Sequence, residues 1–262
     1  MAEVAEHLIL RLEAPLQAWG DVAMDPRRPT RAFPSRSGLA GLLASALGWR
    51  YRDADRTTAL QDALRYAVRE DRCPQVIRDY QTADLGAIGI QGWTRWGLEK
   101  RAGSAKEGTQ ILEKSYLADG AFTVALALSD GAEVALSDGL PTLEALEAAL
   151  RRPARPLFLG RRGCPPSTPL LGPPGQERVD APTPAEALLQ APLRREFGDV
   201  SRSAIRDVRI WYDASDGSLG DLAARAEVLD VWDRRDFRSN RFGGSRRLVS
   251  VLLPAEQFAE GA

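Results

Sequence analysis

An α+β fold is predicted by three features of this 262-residue chain. Strand-like and helix-like segments follow one another as β-α-β-β-α-β over residues 7–160, later segments alternate with period two, and no internal repeat at a fixed period breaks that order. The order is the ferredoxin-like plan.

His7 to Glu13 (HLILRLE) is a short β-type run ended by Ala14–Pro15. Ser35 and Ser37 are N-cap candidates for a helix through Leu39, Leu42, Leu43 and Leu47, and Gly48 is its stop. A second helix is predicted from Arg56 to Tyr66, with Leu60 and Leu64 at i, i+4 and Asp55 near its start. Tyr66–Asp71 and Val76–Thr82 read as a strand pair about Cys73–Pro74. Order resumes at Thr109–Leu117 and at Ala121–Ser129, an apolar run typical of an interior strand. A helix over Thr142–Arg151 puts Leu143, Leu146 and Leu150 on one face, and Pro156–Leu159 is the expected fourth strand.

Residues 85–108 fit neither period. They hold six glycines, Trp93, Trp96 and the cations Arg95, Lys100, Arg101 and Lys106, and read as a long protruding insertion. The Pro-rich stretch 161–185 is a connecting or draped segment. From about Arg206 the chain alternates again (DVRIWYD, AEVLDVWD, RRLVSVLLP). The expected organisation is a domain over 1–160 with its insertion at about 85–110, a connecting segment over 161–185, and a small β-rich C-terminal region over 186–262.

With 44% hydrophobic and 27% charged residues the composition is that of an ordinary globular chain, and 35 basic against 36 acidic residues leave a net charge of −1. The charges are unevenly placed. Pro26 to Asp53 holds six arginines and Asp53 as its only acid; 151–178 and 234–247 hold six arginines each against Glu177 and Asp236. Only Lys100, Lys106 and Lys114 are lysines, and guanidinium is the better bidentate partner for phosphate, although a GC-rich genome would produce the same bias. Cys73 and Cys164 do not suggest a metal knuckle or a disulfide scaffold and are expected to be buried thiols of a reducing compartment. With no basic flank before a long apolar run, and no stretch of roughly 18 to 20 apolar residues, a cytoplasmic location is expected.

The single histidine, His7, stands at the start of the first strand and reads as structural, so a Ser-His-Asp or Cys-His arrangement or a His-containing zinc site is not expected. There is no P-loop, and Gly38 and Gly41 sit in an apolar helix rather than in a dinucleotide-binding turn. Asp233/Asp236 and Asp53/Asp55 are spaced like turns and caps. No cofactor, metal ion or catalytic group is expected.

Polyanion binding remains. Arg27, Arg28, Arg31 and Arg36 precede a helix whose free N–H groups would start near Ser37, so cations and backbone donors could converge on phosphates; a solvated arginine loop has the same composition. Trp93 and Trp96 with their interleaved cations suit stacking on unpaired bases, or packing onto the body. Arg161 and Arg162 lie between Gly160 and Gly163, which permit close backbone approach. Arg78, Tyr80 and Gln81 in RDYQT alternate on a strand, where Tyr80 is equally suited to a core.

Taken in order, LILRLEAPLQAWG, RPTRAFPSRSGLAGLLASALG, RDYQT and LGRRGCPPSTPL resemble the CasD family, the Cas-five subunit of type I-E CRISPR Cascade complexes, over most of residues 7–171. The resemblance implies a RAMP-type (RRM-like) ferredoxin fold with a β-hairpin thumb at the insertion. It also implies a non-catalytic subunit that caps the complex by holding the repeat-derived 5′ handle of the crRNA. CasC would be its backbone neighbour and CasA, the large subunit, would dock nearby; CasB and CasE would share the complex, and target DNA would be met only through it, with no membrane involved. Gln17, Trp19, Arg27, Arg31, Ser35, Arg36 and Ser37 match the family's N-terminal handle-binding region, and Arg161 and Arg162 its GRR segment. Where a histidine is common after RDY in the family, this chain has Gln81. Some type I-C relatives are metal-independent endoribonucleases, which makes processing of precursor crRNA the alternative function; a scaffold whose arginines meet acidic proteins is a third.

Overall fold

The computed structural model describes residues 4–22, 26–84, 91–94, 97–100, 109–129, 139–172, 175–193, 207–217 and 219–258. Its elements are β1 (Ala5–Gln17), β2 (Arg27–Arg28), α1 (Arg36–Ala46), α2 (Ala54–Ala63), β3 (Leu64–Arg72), β4 (Gln75–Asp84), β5 (Gln91–Thr94), β6 (Gly97–Lys100), β7 (Thr109–Leu128), α3 (Leu143–Arg151), β8 (Arg178–Ala181), α4 (Pro184–Gln190), β9 (Asp207–Asp213), β10 (Glu227–Val231), β11 (Arg235–Asp236), β12 (Arg241–Phe242) and β13 (Arg246–Pro254).

β7 organises the rest. Its C-terminal half pairs with β1 on one side (Leu10↔Val124) and β3 on the other (Val68↔Val124), both antiparallel. The sheet then runs β10-β13-β9-β3-β7-β1-β8, so the C-terminal strands extend the same sheet beyond β3. Alternation divides the side chains between two cores. Leu8, Leu10, Leu12, Val124 and Leu126 pack against Leu39 and Leu43 of α1, Leu60 of α2 and Leu146 of α3. On the opposite face Ile9, Ala67 and Ala125 pack with Leu188 of α4, Ile210, Val251 and Phe258. The second core encloses Arg69, which donates to the carbonyls of Leu188 at 2.7 Å, Ala191 at 2.6 Å and Pro192 at 2.9 Å and pairs with Asp71 at 2.5 Å. A fully buried cation thus satisfies the carbonyls at the end of α4.

The N-terminal half of β7 runs on past the core. There it pairs with β4 from Gln75↔Ala118 to Asp84↔Thr109, and with the short parallel β2 at Arg27↔Glu113 and Arg28↔Lys114. β3 and β4, expected as partners of each other, instead follow one another along the same edge of β7. Cys73–Pro74 is unsuited to a two-residue hairpin, because both favoured turns need positive φ at the first position, where glycine rather than cysteine is preferred, and type I′ needs it at the proline too; the chain carries straight on. β3, β4 and β7 therefore form one long ribbon, and the antiparallel pair β5–β6 lies within its connection.

Other expectations are corrected. The second helix ends at Ala63, and Leu64 and Tyr66 open β3 instead. Pro156–Leu159 is not a strand. The edge of β1 that it was to occupy carries β8 from Ala5↔Ala181 to Leu8↔Arg178, and further along it takes single bonds from the Pro-rich segment: Ala18 N–H to Leu159 O, Ser167 N–H to Glu13 O and Arg11 N–H to Leu170 O. Prolines that cannot donate leave that segment draped along the edge rather than laddered to it. Cys164 is buried as expected, but Cys73 is exposed.

Gly160, at φ +100°, makes the tightest approach in this drape, since a Cβ there would lie 1.7 Å from the Ala18 carbonyl oxygen. Gly160→Ala is expected to destabilise the protein by more than about 2 kcal/mol through the combination of strain and clash. Denaturant unfolding checks this, and an unchanged midpoint would mean the turn can move away.

Candidate nucleic-acid interface

The cationic loop before α1 is held from within. Ser35 caps the helix: its Oγ accepts from the Gly38 N–H at 3.2 Å and donates to the Trp19 carbonyl. Trp19 is buried, its N–H donates to Thr30 Oγ1 at 2.8 Å, and its indole N–H donates to Gln17 Oε1 at 3.0 Å. Gln17 in turn donates to the carbonyls of Leu12 and Gly120. Gln17, Trp19, Ser35 and Ser37 are all buried. Gln17, Trp19 and Ser35 spend their polar atoms on one another and on the backbone, and so shape the loop.

The N-terminus of α1 is not an open anion site. Asp233, 0% exposed, accepts the Arg36 N–H on Oδ2 at 2.9 Å and the Ser37 N–H on its carbonyl at 3.1 Å. The donors that the sequence would aim at a phosphate are already taken by the carboxylate and the backbone carbonyl of Asp233, from the C-terminal region. Arg36 is drawn into the same cluster. Its guanidinium meets Asp213 at 3.3 Å, while Arg246 donates to Asp233 and Tyr66 and lies 3.2 Å from Asp213. Two guanidiniums face two carboxylates, so the cluster adds no net attraction for a polyanion. Burial alone would raise the Asp233 pKa, but the Arg246 hydrogen bond and charge, followed by Arg36, hold it below the usual carboxylate range. Burial above all keeps the Tyr66 phenol protonated.

Arg161 is also internal in role. It donates to the carbonyls of Ser115 at 2.7 Å and Arg28 at 2.8 Å, and its guanidinium lies 4.6 Å from the centre of the Tyr116 ring. That locks β2 onto β7. Arg31 pairs with Asp21 at 2.8 Å and donates to the Trp232 carbonyl at 2.9 Å. Arg28 is half-buried, its guanidinium donating to the Arg27 carbonyl at 3.3 Å.

Arg27, Arg78, Tyr80 and Arg162 face solvent. Arg27 has a 74% exposed side chain in a loose 3.4 Å pair with Glu113, a contact worth little in water and easily exchanged for a phosphate. The register Tyr80↔Glu113 across β4 and β7, with Arg27↔Glu113 across β2 and β7, puts Tyr80, Arg27 and, two residues along β4, Arg78 on one face of the ribbon. Gln81, standing where the family commonly has histidine, donates to Asp79 at 2.5 Å and accepts from Lys114 at 2.6 Å. Arg95, Arg101 and Lys106 lie outside the described residues, and Lys100 ends β6. His7 is buried, and burial, the largest influence on it, holds its pKa below the ordinary imidazole value.

Sequence reasoning missed Arg246 and Trp232 as contributors, and it read Asp233 as a turn or cap without seeing which helix it closes. Trp232 is 50% exposed, and its backbone carbonyl accepts from Arg31 of the loop. The arginine-rich stretch 234–247 was the available signal, but nothing local tied it to residues 27–37.

With this geometry in place, comparison with known proteins identifies the family. The model of the family described as CRISPR-associated protein (Cas_Cas5) matches residues 7–248, and the chain belongs to that family. A curated relative, the CRISPR system Cascade subunit CasD of Escherichia coli (strain K12), is 36% identical over 164 residues, covering 63% of this chain and 69% of that protein. A solved structure titled as the crystal structure of a Cas protein superposes with a TM-score of 0.62 at 29% identity, covering 97% of this chain and 98% of its own. A chain from a structure titled as a CRISPR RNA-guided surveillance complex gives 0.60 at 27% identity, with 98% and 94% covered. The resemblance to the CasD family carried by the four motifs is borne out, and the match extends well past residue 171. No helix among the described residues is long and apolar enough to cross a membrane.

Two predictions follow from the buried cluster and the GRR turn. Asp233→Asn is expected to cost about 3–5 kcal/mol at neutral pH by leaving Arg36 and Arg246 to share the single carboxylate of Asp213. Because the folded-state pKa of Asp233 lies below its unfolded value, its contribution is full above the unfolded pKa and is lost as pH falls toward the folded one. The variant should therefore show a flatter decline in stability between about pH 5 and pH 2; parallel wild-type and variant curves would contradict this. Arg161→Ala should lose about 2 kcal/mol or more with its carbonyl bonds, whereas Arg162→Ala should stay within about 0.5 kcal/mol of wild type. Equal losses in denaturant unfolding would refute the division.

Proposed function

We propose that this chain is a subunit of a type I-E Cascade complex that binds the repeat-derived 5′ handle of the crRNA and caps that end of the assembly in antiviral defence. The observation that carries this reading is the ribbon face bearing Arg27, Arg78 and Tyr80 beside the Arg31–Trp232 contact, in a chain whose family match runs over residues 7–248. Exposed guanidiniums can neutralise phosphates while Tyr80 and Trp232 offer faces to unpaired bases. The four-strand order β8-β1-β7-β3 supports reading the core as ferredoxin-like, and the β5–β6 pair in the ribbon's connection supports reading the insertion as the thumb. The thumb would meet the CasC backbone subunit, with CasA nearby and CasB and CasE elsewhere in the same complex. Target DNA would be met through the assembly, in the cytoplasm.

The subunit is proposed to be non-catalytic. Its one histidine is buried in the sheet and held neutral, which leaves no imidazole at the ribbon surface to serve as a general base. In chelator, stoichiometric protein is expected to leave repeat RNA intact; cleavage would replace this proposal with a processing nuclease.

Co-expressed with the other Cascade subunits and a CRISPR array, the chain is expected to copurify with the RNA-containing complex, and its absence from that complex would sink the reading. Arg27→Ala and Arg162→Ala should each weaken binding of handle RNA by about 1–3 kcal/mol and lower the slope of log affinity against log salt by about 0.7. A slope unchanged in both variants would return these side chains to the solvent.

A further inference from the structure

A groove of about 410 Å³ opens between α1, the Gly160–Arg161 turn and the β11–β12 hairpin. We infer that it receives one unpaired nucleobase of the bound RNA, an inference that rests on the RNA-binding reading above and assigns that RNA a specific pocket.

Its walls are aromatic. Phe158 comes from the draped segment, and Phe237 and Phe242 come from the hairpin and the turn within it. The Arg235 guanidinium lies 5.9 Å and 5.8 Å from the centres of the Phe237 and Phe242 rings. One end of it donates to Asn240, while its Nε–H is buried without a partner. A buried N–H left unmatched by the chain is uncommon and suits an acceptor supplied from outside. Burial also lowers the pKa of Arg235, which a ligand acceptor would offset. Among the described residues the groove is lined by two arginines, Arg161 and Arg235, and by no carboxylate, so its charge favours an anionic guest over a basic or neutral one.

The helix side carries an independent mark. Gly41 stands in the interior of α1, where glycine weakens a helix relative to alanine. Packing explains its neighbour Gly38, whose Cβ would lie 2.9 Å from Ser35 Oγ and 3.0 Å from Trp19 Cε3. Nothing among the described residues explains Gly41, since a Cβ there would meet no heavy atom of theirs within 4 Å. It lines the groove, and its missing side chain leaves the helix surface flat where a planar ring would lie. The volume suits a single base with its sugar, the phenylalanines supply stacking faces, and Arg235 supplies a donor for a base-edge acceptor.

The test fills the groove from the helix. Gly41→Leu should fold as well as wild type in thermal melts, because the space is open. Binding of short single-stranded RNAs to the full chain is then measured with each nucleotide replaced in turn by an abasic one. In wild type one abasic position should weaken binding by about tenfold, and in Gly41→Leu that penalty should vanish because the base is already excluded. Arg235→Lys, which removes the Nε donor while keeping the charge, should reduce the same penalty and no other. A penalty of equal size in wild type and Gly41→Leu overturns the pocket while leaving the RNA reading intact. Unaltered RNA binding with impaired incorporation of Gly41→Leu into the Cascade complex would show that the groove seats a protein segment, and overturns it too. Failure of the wild-type chain and its complex to bind any of the RNAs would instead overturn the reading on which the proposal rests.

Discussion

The buried carboxylate of Asp233 ties the two ends of this chain together. It closes the N-terminus of α1, neutralises Arg246 and sits beside the Tyr66 hydroxyl, linking the first helix, the third strand and the C-terminal region at one point. A charge removed from water is tolerable only when such partners surround it, and Asp233 has them. Its position also dictates what the N-terminal loop can do. With the helix donors filled and Arg36 committed to Asp213, attraction for a polyanion falls to the side chains the loop and ribbon expose.

The arginines therefore divide into two populations that composition cannot separate. Arg69, Arg161 and Arg246 act as rigid multi-donor braces, each spanning backbone carbonyls or polar side chains from distant parts of the chain, and Arg36 is committed to Asp213. Arg27, Arg78 and Arg162 stay at the surface. The braces hold β2 on β7 and set the spacing at which the exposed cations stand, so the surface chemistry depends on the buried one.

Much of the fold was legible because its signals are local. Ser35 caps α1 as its spacing suggests, α3 falls within the expected Thr142–Arg151, Gly48 takes positive φ after α1, and the three alternating C-terminal runs are strands. Failures came where a distant partner decides. Leu60 and Leu64 fit a helix face, but pairing of Leu64 with Leu128 claims the second for β3. PLFLG has strand composition, yet β1 offers its edge to β8 and to single bonds from a Pro-rich segment. The candidate site was legible as a region rather than as contacts. Ser35 caps α1 as expected, but Asp233 and Asp213, the partners of Arg36 and Ser37, lie nearly two hundred residues away, and no local pattern reveals that pairing. Trp232 and Arg235 escaped notice for the same reason.

The central claim is that the ribbon base and the Arg31–Trp232 contact hold the 5′ end of a guide RNA. The most direct test is photo-crosslinking within the assembled complex, using crRNA carrying 4-thiouridine near its 5′ end or near its 3′ end, followed by peptide mapping. The account predicts crosslinks from the 5′ probe to peptides containing Arg27–Arg31, Arg78–Tyr80 or Trp232, and none from the 3′ probe. Crosslinks confined to the α4 face of the sheet, or arising from the 3′ probe alone, would contradict it.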